Sequence, residues 1–147
     1  MMRTITRIIV HCSASIAGVD LCAEDIRAYH CNPVKQGGRG WHHPGYHYVV
    51  RLDGTVEPLL DESLVANGVK GFNQTAIHVC YIGGLDKKGR PANTMTEAQY
   101  ASMQRLLTDL LRKYPAATLH GHNEFAAKAC PCFKVNEVFK KLISLCE

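Results

Sequence analysis

Two short runs limit what this chain can fold into. Residues 7–12, Arg-Ile-Ile-Val-His-Cys, and residues 76–82, Ala-Ile-His-Val-Cys-Tyr-Ile, are largely apolar and do not alternate. A strand with water on one face alternates, whereas an unbroken apolar run belongs to a strand covered on both faces. The first run therefore predicts a central strand. The second, β-branched and stopped by Gly83-Gly84, predicts a further buried strand.

The segments around these runs carry their own punctuation. Asp20 has the chemistry of an N-cap for a helix over 21–31, with Glu24 and Asp25 near its positive end and Pro33 just beyond it. Residues 35–45, Lys-Gln-Gly-Gly-Arg-Gly-Trp-His-His-Pro-Gly, predict a loop. Strand-like runs at 46–52 and 55–60 flank Asp53-Gly54, a strong hairpin signal. A Gly-containing connection at 63–73 and a polar surface loop at 85–95 bracket the second buried run. Thr96 and Gln99 then form a capping box for a helix over 97–114. Its Tyr100, Met103, Leu106, Leu107, Leu110, Leu111 and Tyr114 keep helical spacing, and Pro115 ends it. A short strand over 117–120 and an amphipathic helix over 135–145 follow. Strands alternating with helices, but with an antiparallel hairpin among them, predict an α/β fold: a mixed β-sheet with helices packed on it. The whole of 1–147 is expected to be one domain, since 147 residues with 46% hydrophobic content can bury a core without disulfides or a structural metal.

Charge and cysteine usage narrow the partners. A net charge of +4 suits an anionic partner such as a bacterial envelope, but the basic residues are scattered, which argues against a nucleic-acid footprint. Seven cysteines, at 12, 22, 31, 80, 130, 132 and 146, are an odd number, and Cys80 lies inside an apolar run. The opening Met-Met-Arg-Thr-Ile-Thr-Arg has no apolar segment of signal-peptide length, and no run approaches a membrane span. Together these predict reduced thiols and a protein that is cytoplasmic as made.

The chemistry concentrates in residues 119–132, Leu-His-Gly-His-Asn-Glu-Phe-Ala-Ala-Lys-Ala-Cys-Pro-Cys. Neutral imidazole and thiolate are preferred zinc ligands, and a catalytic zinc takes three protein ligands and keeps one position open. His122 and Cys130 have a spacing that a loop can close around one ion, and His11, ending a buried strand, is the best third ligand. Residue chemistry alone leaves substitutes open. His120 or Cys132 could replace its neighbour, though two strand residues on one face lie about 6–7 Å apart and do not readily serve together. Cys132 as the fourth ligand of a structural site is a further alternative.

The ordered set Ile9-Val-His-Cys-Ser-Ala14, Gly45-Tyr-His-Tyr48, Arg51-Leu-Asp-Gly-Thr-Val56 and Lys128-Ala-Cys-Pro131 resembles the zinc N-acetylmuramoyl-L-alanine amidases of type 2. That family includes the amidase-type phage lysozymes and shares its fold with peptidoglycan recognition proteins. The resemblance is strongest to the phage lysozymes and runs from about residue 8 to residue 133. It selects His11, His122 and Cys130 as ligands of Zn2+ and assigns catalysis to Tyr46 and Lys128. It implies hydrolysis of the amide between N-acetylmuramic acid and L-alanine in peptidoglycan by a monomer released to the cell wall by another protein. Lys128 would stabilise the oxyanion, while Tyr46, at the opening of a strand, would position water or substrate or pass a proton to the leaving amine. Two rivals share the fold: a peptidoglycan-binding module without catalysis, typical where the zinc cysteine has been lost, and a regulator that binds RNA polymerase, by analogy with the phage lysozymes.

Three positions depart from the family pattern. Gly68 stands where related amidases often have histidine, His78 where they usually have glycine, and Lys134 where an acidic residue follows Cys-Pro-x-Phe. The first two are expected to affect the substrate rim and leave the metal site alone. His47 is expected to be structural or to support a ligand, and His42 and His43 to be surface loop residues.

Overall fold

The computed structural model describes residues 3–143. Its main sheet has five strands: β1 (Arg7–Cys12), β3 (Tyr48–Val50), β4 (Val56–Pro58), β5 (Ala76–Tyr81) and β7 (Thr118–Gly121), in the order β4-β3-β5-β1-β7. β3, β5, β1 and β7 run parallel, and only the hairpin partner β4 is antiparallel. This is the expected mixed sheet. The two apolar runs form its interior strands, and every residue of β5 is buried.

Register divides the core between the two faces. Side chains paired across parallel strands share a face, so Ile8, Val10 and Cys12 align with Ile77, Val79 and Tyr81. They pack against Met103, Leu107 and Leu110 of α2 (Glu97–Lys113) and against Phe139 and Leu142. Each such fully buried apolar side chain contributes about 1.5–3 kcal/mol relative to an exposed one. The opposite face carries Ile9, His11, His78 and Cys80. There Val49 meets Ala23 and Ile26 of α1 (Ala23–Cys31), and Ile9 meets Val69.

The capping box of α2 is present, with Thr96 N–H donating to Gln99 Oε1 at 2.9 Å and Gln99 N–H to Thr96 Oγ1 at 3.0 Å. Asp20 does not cap α1. Its carboxylate is drawn to Arg51 at 2.7 Å, and the N-cap is Cys22, whose N–H donates to Asp25 at 2.9 Å. The loop over 35–45 begins in a short 3-10 turn, Val34–Gln36. Tyr46 and His47 precede β3 instead of opening it, although His47 N–H already donates to His78 O at 2.8 Å. The C-terminal helix is split into α3 (Val135–Val138) and α4 (Lys140–Ile143) at Phe139, whose buried ring packs between Tyr100 and Phe133; residues 144–145 lie outside the described residues. A two-strand pairing of β2 (Ser15–Ile16) with β6 (Gly84–Leu85) was not expected. Gly84 permits it, because φ is +102° and a Cβ there would lie 2.5 Å from Cys12 Sγ.

Candidate metal centre

Parallel sheets gather ligands at the carboxyl ends of their strands. β1 and β7 are paired in parallel with Val10 opposite Gly121, so His11 and the first residue after β7, His122, emerge side by side. Their rings meet edge to face with centroids 4.8 Å apart. Cys130 reaches the same point from the loop that follows, its Sγ 3.9 Å from His11 Nδ1. One donor atom from each of His11, His122 and Cys130 lies within 4.8 Å of the others. Around a tetrahedral zinc with bonds of about 2.0–2.3 Å, such atoms stand about 3.3–3.6 Å apart. The donor set and its size therefore fit zinc after a contraction of about an ångström.

The loop bearing Cys130 is held at several points. Tyr81 Oη donates to Pro131 O at 2.7 Å, and Asn123 Nδ2 donates to Phe133 O at 3.1 Å. Gly121 N–H donates to Glu124 Oε2 at 2.7 Å where the loop leaves β7. Cys12 N–H donates to Cys130 Sγ at 3.2 Å. The alternative ligands are engaged elsewhere. His120 is bound between Glu124 at 2.8 Å and Thr118 at 2.6 Å, and Cys132 Sγ points to Gly84 O at 3.3 Å.

Burial holds His11 well below the usual imidazole range, and His78, His122, His30 and Lys128 act in the same direction. Burial, then Lys128, lowers His122 as well. Both rings are thus neutral near pH 7, the form that binds metal. Tyr46 lies beside them, its ring 5.0 Å from that of His11 and its hydroxyl 3.4 Å from Cys12 O. Burial, followed by the neighbouring Cys80, raises it well above the usual phenol range, so it keeps its proton. Lys128 is exposed on the loop, two residues before Cys130.

His42 and His43 stack on each other in the surface loop, as expected. His47 is structural: its Nδ1 accepts from His78 N–H at 3.0 Å and its Nε2 donates to Leu64 O at 2.8 Å. Two residues acquire roles that sequence reasoning missed. His30 supports the tyrosine, its ring 5.3 Å from Tyr46 and 4.8 Å from Trp41, while its Nδ1 accepts from Gly45 N–H at 2.9 Å. His78 is not on a substrate rim. It is fully buried in β5, with Nδ1 2.8 Å from His11 Nε2.

The sequence profile of the N-acetylmuramoyl-L-alanine amidases matches residues 1–133. The chain belongs to this family. The endolysin of Klebsiella phage KP32 is 40% identical over 136 residues, covering 92% of this chain and 86% of the relative. Among solved structures, the N-acetylmuramoyl-L-alanine amidase LysC from Clostridium intestinale superposes with a TM-score of 0.76 at 26% identity, covering 95% of this chain and 86% of LysC. Bumblebee PGRP-SA, at 19% identity and a TM-score of 0.74 over 95% of this chain and 84% of its own, shares the fold. The chain is accordingly an amidase on the fold of peptidoglycan recognition proteins, and no helix among its described residues is long and apolar enough to cross a membrane.

Proposed function

We propose that this amidase is a zinc hydrolase that cuts the bond between the lactyl group of N-acetylmuramic acid and L-alanine in peptidoglycan, reaching the cell wall after release by another protein. The convergence of His11, His122 and Cys130 within 4.8 Å is the observation that carries the reading. These three would hold the ion, and zinc bound there supplies Lewis acidity that polarises a carbonyl and acidifies water. The retained Cys130 favours catalysis over a binding module that has lost its metal.

The remaining work falls to the chain itself. His11 and His122, kept neutral by burial, can each offer one bare ring nitrogen to the cradle. The Tyr46 hydroxyl, kept protonated by burial, would position water or substrate or pass a proton to the leaving amine. The Lys128 ammonium, exposed on the loop two residues before Cys130, stabilises negative charge as it develops on the carbonyl oxygen of the scissile amide. Digestion of purified peptidoglycan tests the reading: new alanine α-amines should appear without new reducing ends, and chelation should abolish the reaction until zinc is returned. New reducing ends, or activity untouched by chelation, would overturn it.

A further inference from the structure

A neutral imidazole carries one N–H, so a histidine that binds metal through one nitrogen must place its proton on the other. His11 is 1% exposed, which leaves the protein to supply the acceptor for that proton. Its two nitrogens face different surroundings. Nδ1 looks toward Cys130 Sγ at 3.9 Å, and Nε2 lies 2.8 Å from His78 Nδ1. For Nδ1 of His11 to be bare, Nε2–H must donate to a bare Nδ1 of His78, and the proton of His78 must then sit on its Nε2. That atom is the buried side-chain nitrogen without a hydrogen-bond partner among the described residues. Buried polar groups are rarely left so. The opposite assignment would put a proton on His11 Nδ1, facing the cradle.

His78 is fixed from behind as well. Its backbone N–H donates to His47 Nδ1 at 3.0 Å, and the two rings lie parallel with centroids 6.0 Å apart. The space its imidazole fills is conditional on residue 68. A Cβ on Gly68 would lie 2.3 Å from His78 Nδ1 and 2.5 Å from its Cε1, a clash with the ring itself. The two departures noted in the sequence, glycine at 68 and histidine at 78, are therefore one exchange. A side chain growing from position 68 and the imidazole growing from position 78 compete for the same volume.

We infer that His78 is the positioning residue for His11, accepting its Nε2–H so that Nδ1 faces the metal, and that Gly68 is the vacancy that admits it. The inference rests on His11 being a zinc ligand, as proposed above. The test is the zinc dissociation constant of the purified full chain, measured by competition with a chromophoric chelator, beside the unfolding midpoint of the zinc-free protein. His78→Phe, which keeps a ring but has no acceptor, should weaken zinc about 10–100-fold, the usual cost of losing a ligand's hydrogen-bond partner. His78→Asn, which returns an acceptor near the Nδ1 position, should recover most of that loss. His78→Gly should weaken zinc too, and adding Gly68→His to it should restore binding by supplying the imidazole from the other side. Equal zinc affinity in parent and His78→Phe, or an equal loss in the Phe and Asn variants, would overturn the inference. If His78→Phe does not fold, failure of Gly68→His to improve on His78→Gly does so. A parent chain that takes up no stoichiometric zinc while folded would instead overturn the zinc reading itself.

Discussion

The Tyr81 hydroxyl is one of the sheet's holds on the loop that carries Cys130, and removing it should be measurable both in stability and in zinc binding. Tyr81 is fully buried at the end of β5, its ring stacks on Phe133 at 5.9 Å, and Oη donates to Pro131 O at 2.7 Å. Burial, with the surrounding thiols, keeps this phenol protonated at all working pH values, so the bond is always present. Tyr81→Phe retains the ring and its stacking and deletes only the donor. A buried carbonyl deprived of its donor costs about 1–3 kcal/mol. Taking about 2 kcal/mol, and about 2–4 °C per kcal/mol for a chain of this size, Tm should fall by roughly 4–8 °C. The measurement belongs on zinc-free protein, by urea or thermal unfolding, because bound zinc adds its own stabilisation by mass action. Zinc affinity, measured separately, should also weaken, since the cradle's third arm loses an anchor. A stability change below about 0.5 kcal/mol would refute the reasoning, because surface substitutions without a structural role fall in that range.

Other perturbations separate the roles within the site. Cys130→Ala should abolish stoichiometric zinc and activity together, while Cys132→Ala, whose Sγ faces Gly84 O, should retain both by metal analysis and turnover assay. Lys128→Ala should keep its zinc and lose roughly 10²–10³ in kcat with little change in KM, as expected for one donor to a developing oxyanion. Tyr46→Phe should behave in the same way. Away from the site, burial pushes Glu62 up, but hydrogen bonds from Tyr114, Tyr48 and Lys113 outweigh it and leave the carboxyl below its usual value. With the folded value depressed, its stabilising contribution is present above the unfolded pKa of about 4.3 and is lost as pH falls through the folded value. Glu62→Gln should therefore flatten the acid limb of an unfolding-versus-pH curve and leave its neutral limb parallel to the parent's.

What could be read from the sequence was what local chemistry decides. Unbroken apolar runs located β1 and β5, the Thr96–Gln99 pair located the start of α2, and Asp53-Gly54 located the β3–β4 turn. Each of these depends on residues within a few positions of one another. The misreadings came from partners far along the chain. Asp20 is an acceptable N-cap until Arg51, 31 residues away, claims its carboxylate. The helical pattern after residue 134 runs smoothly until the Phe139 ring is needed between Tyr100 and Phe133. The two-residue pairing of β2 with β6 has no pattern of its own; it depends on Gly84 passing over Cys12.

The metal cradle illustrates the same division. Ligand chemistry and family pattern pick out His11, His122 and Cys130, but not which nitrogen of His11 faces the ion, because that is decided by His78, 67 residues away, and by the empty side of Gly68. The fold also apportions stiffness among the ligands. His11 sits in a strand hydrogen-bonded on both sides, by β5 and by β7, and its ring is locked by His78. His122 follows β7, an edge strand whose exit is pinned by Glu124. Cys130 alone comes from an irregular loop. The donors spread to 4.8 Å, wider than the edges of a zinc tetrahedron, while Cys130 Sγ is already 3.9 Å from His11 Nδ1, so closure on an ion draws on His122 as well as on that loop. Moving β1 would break two ladders and the His11–His78 bond, whereas moving the loop asks only for small shifts at Tyr81, Asn123 and the Cys12 amide. The apolar run of β1 thus serves the chemistry as well as the core: burial on both faces is what fixes one ligand as the reference on which the other two close.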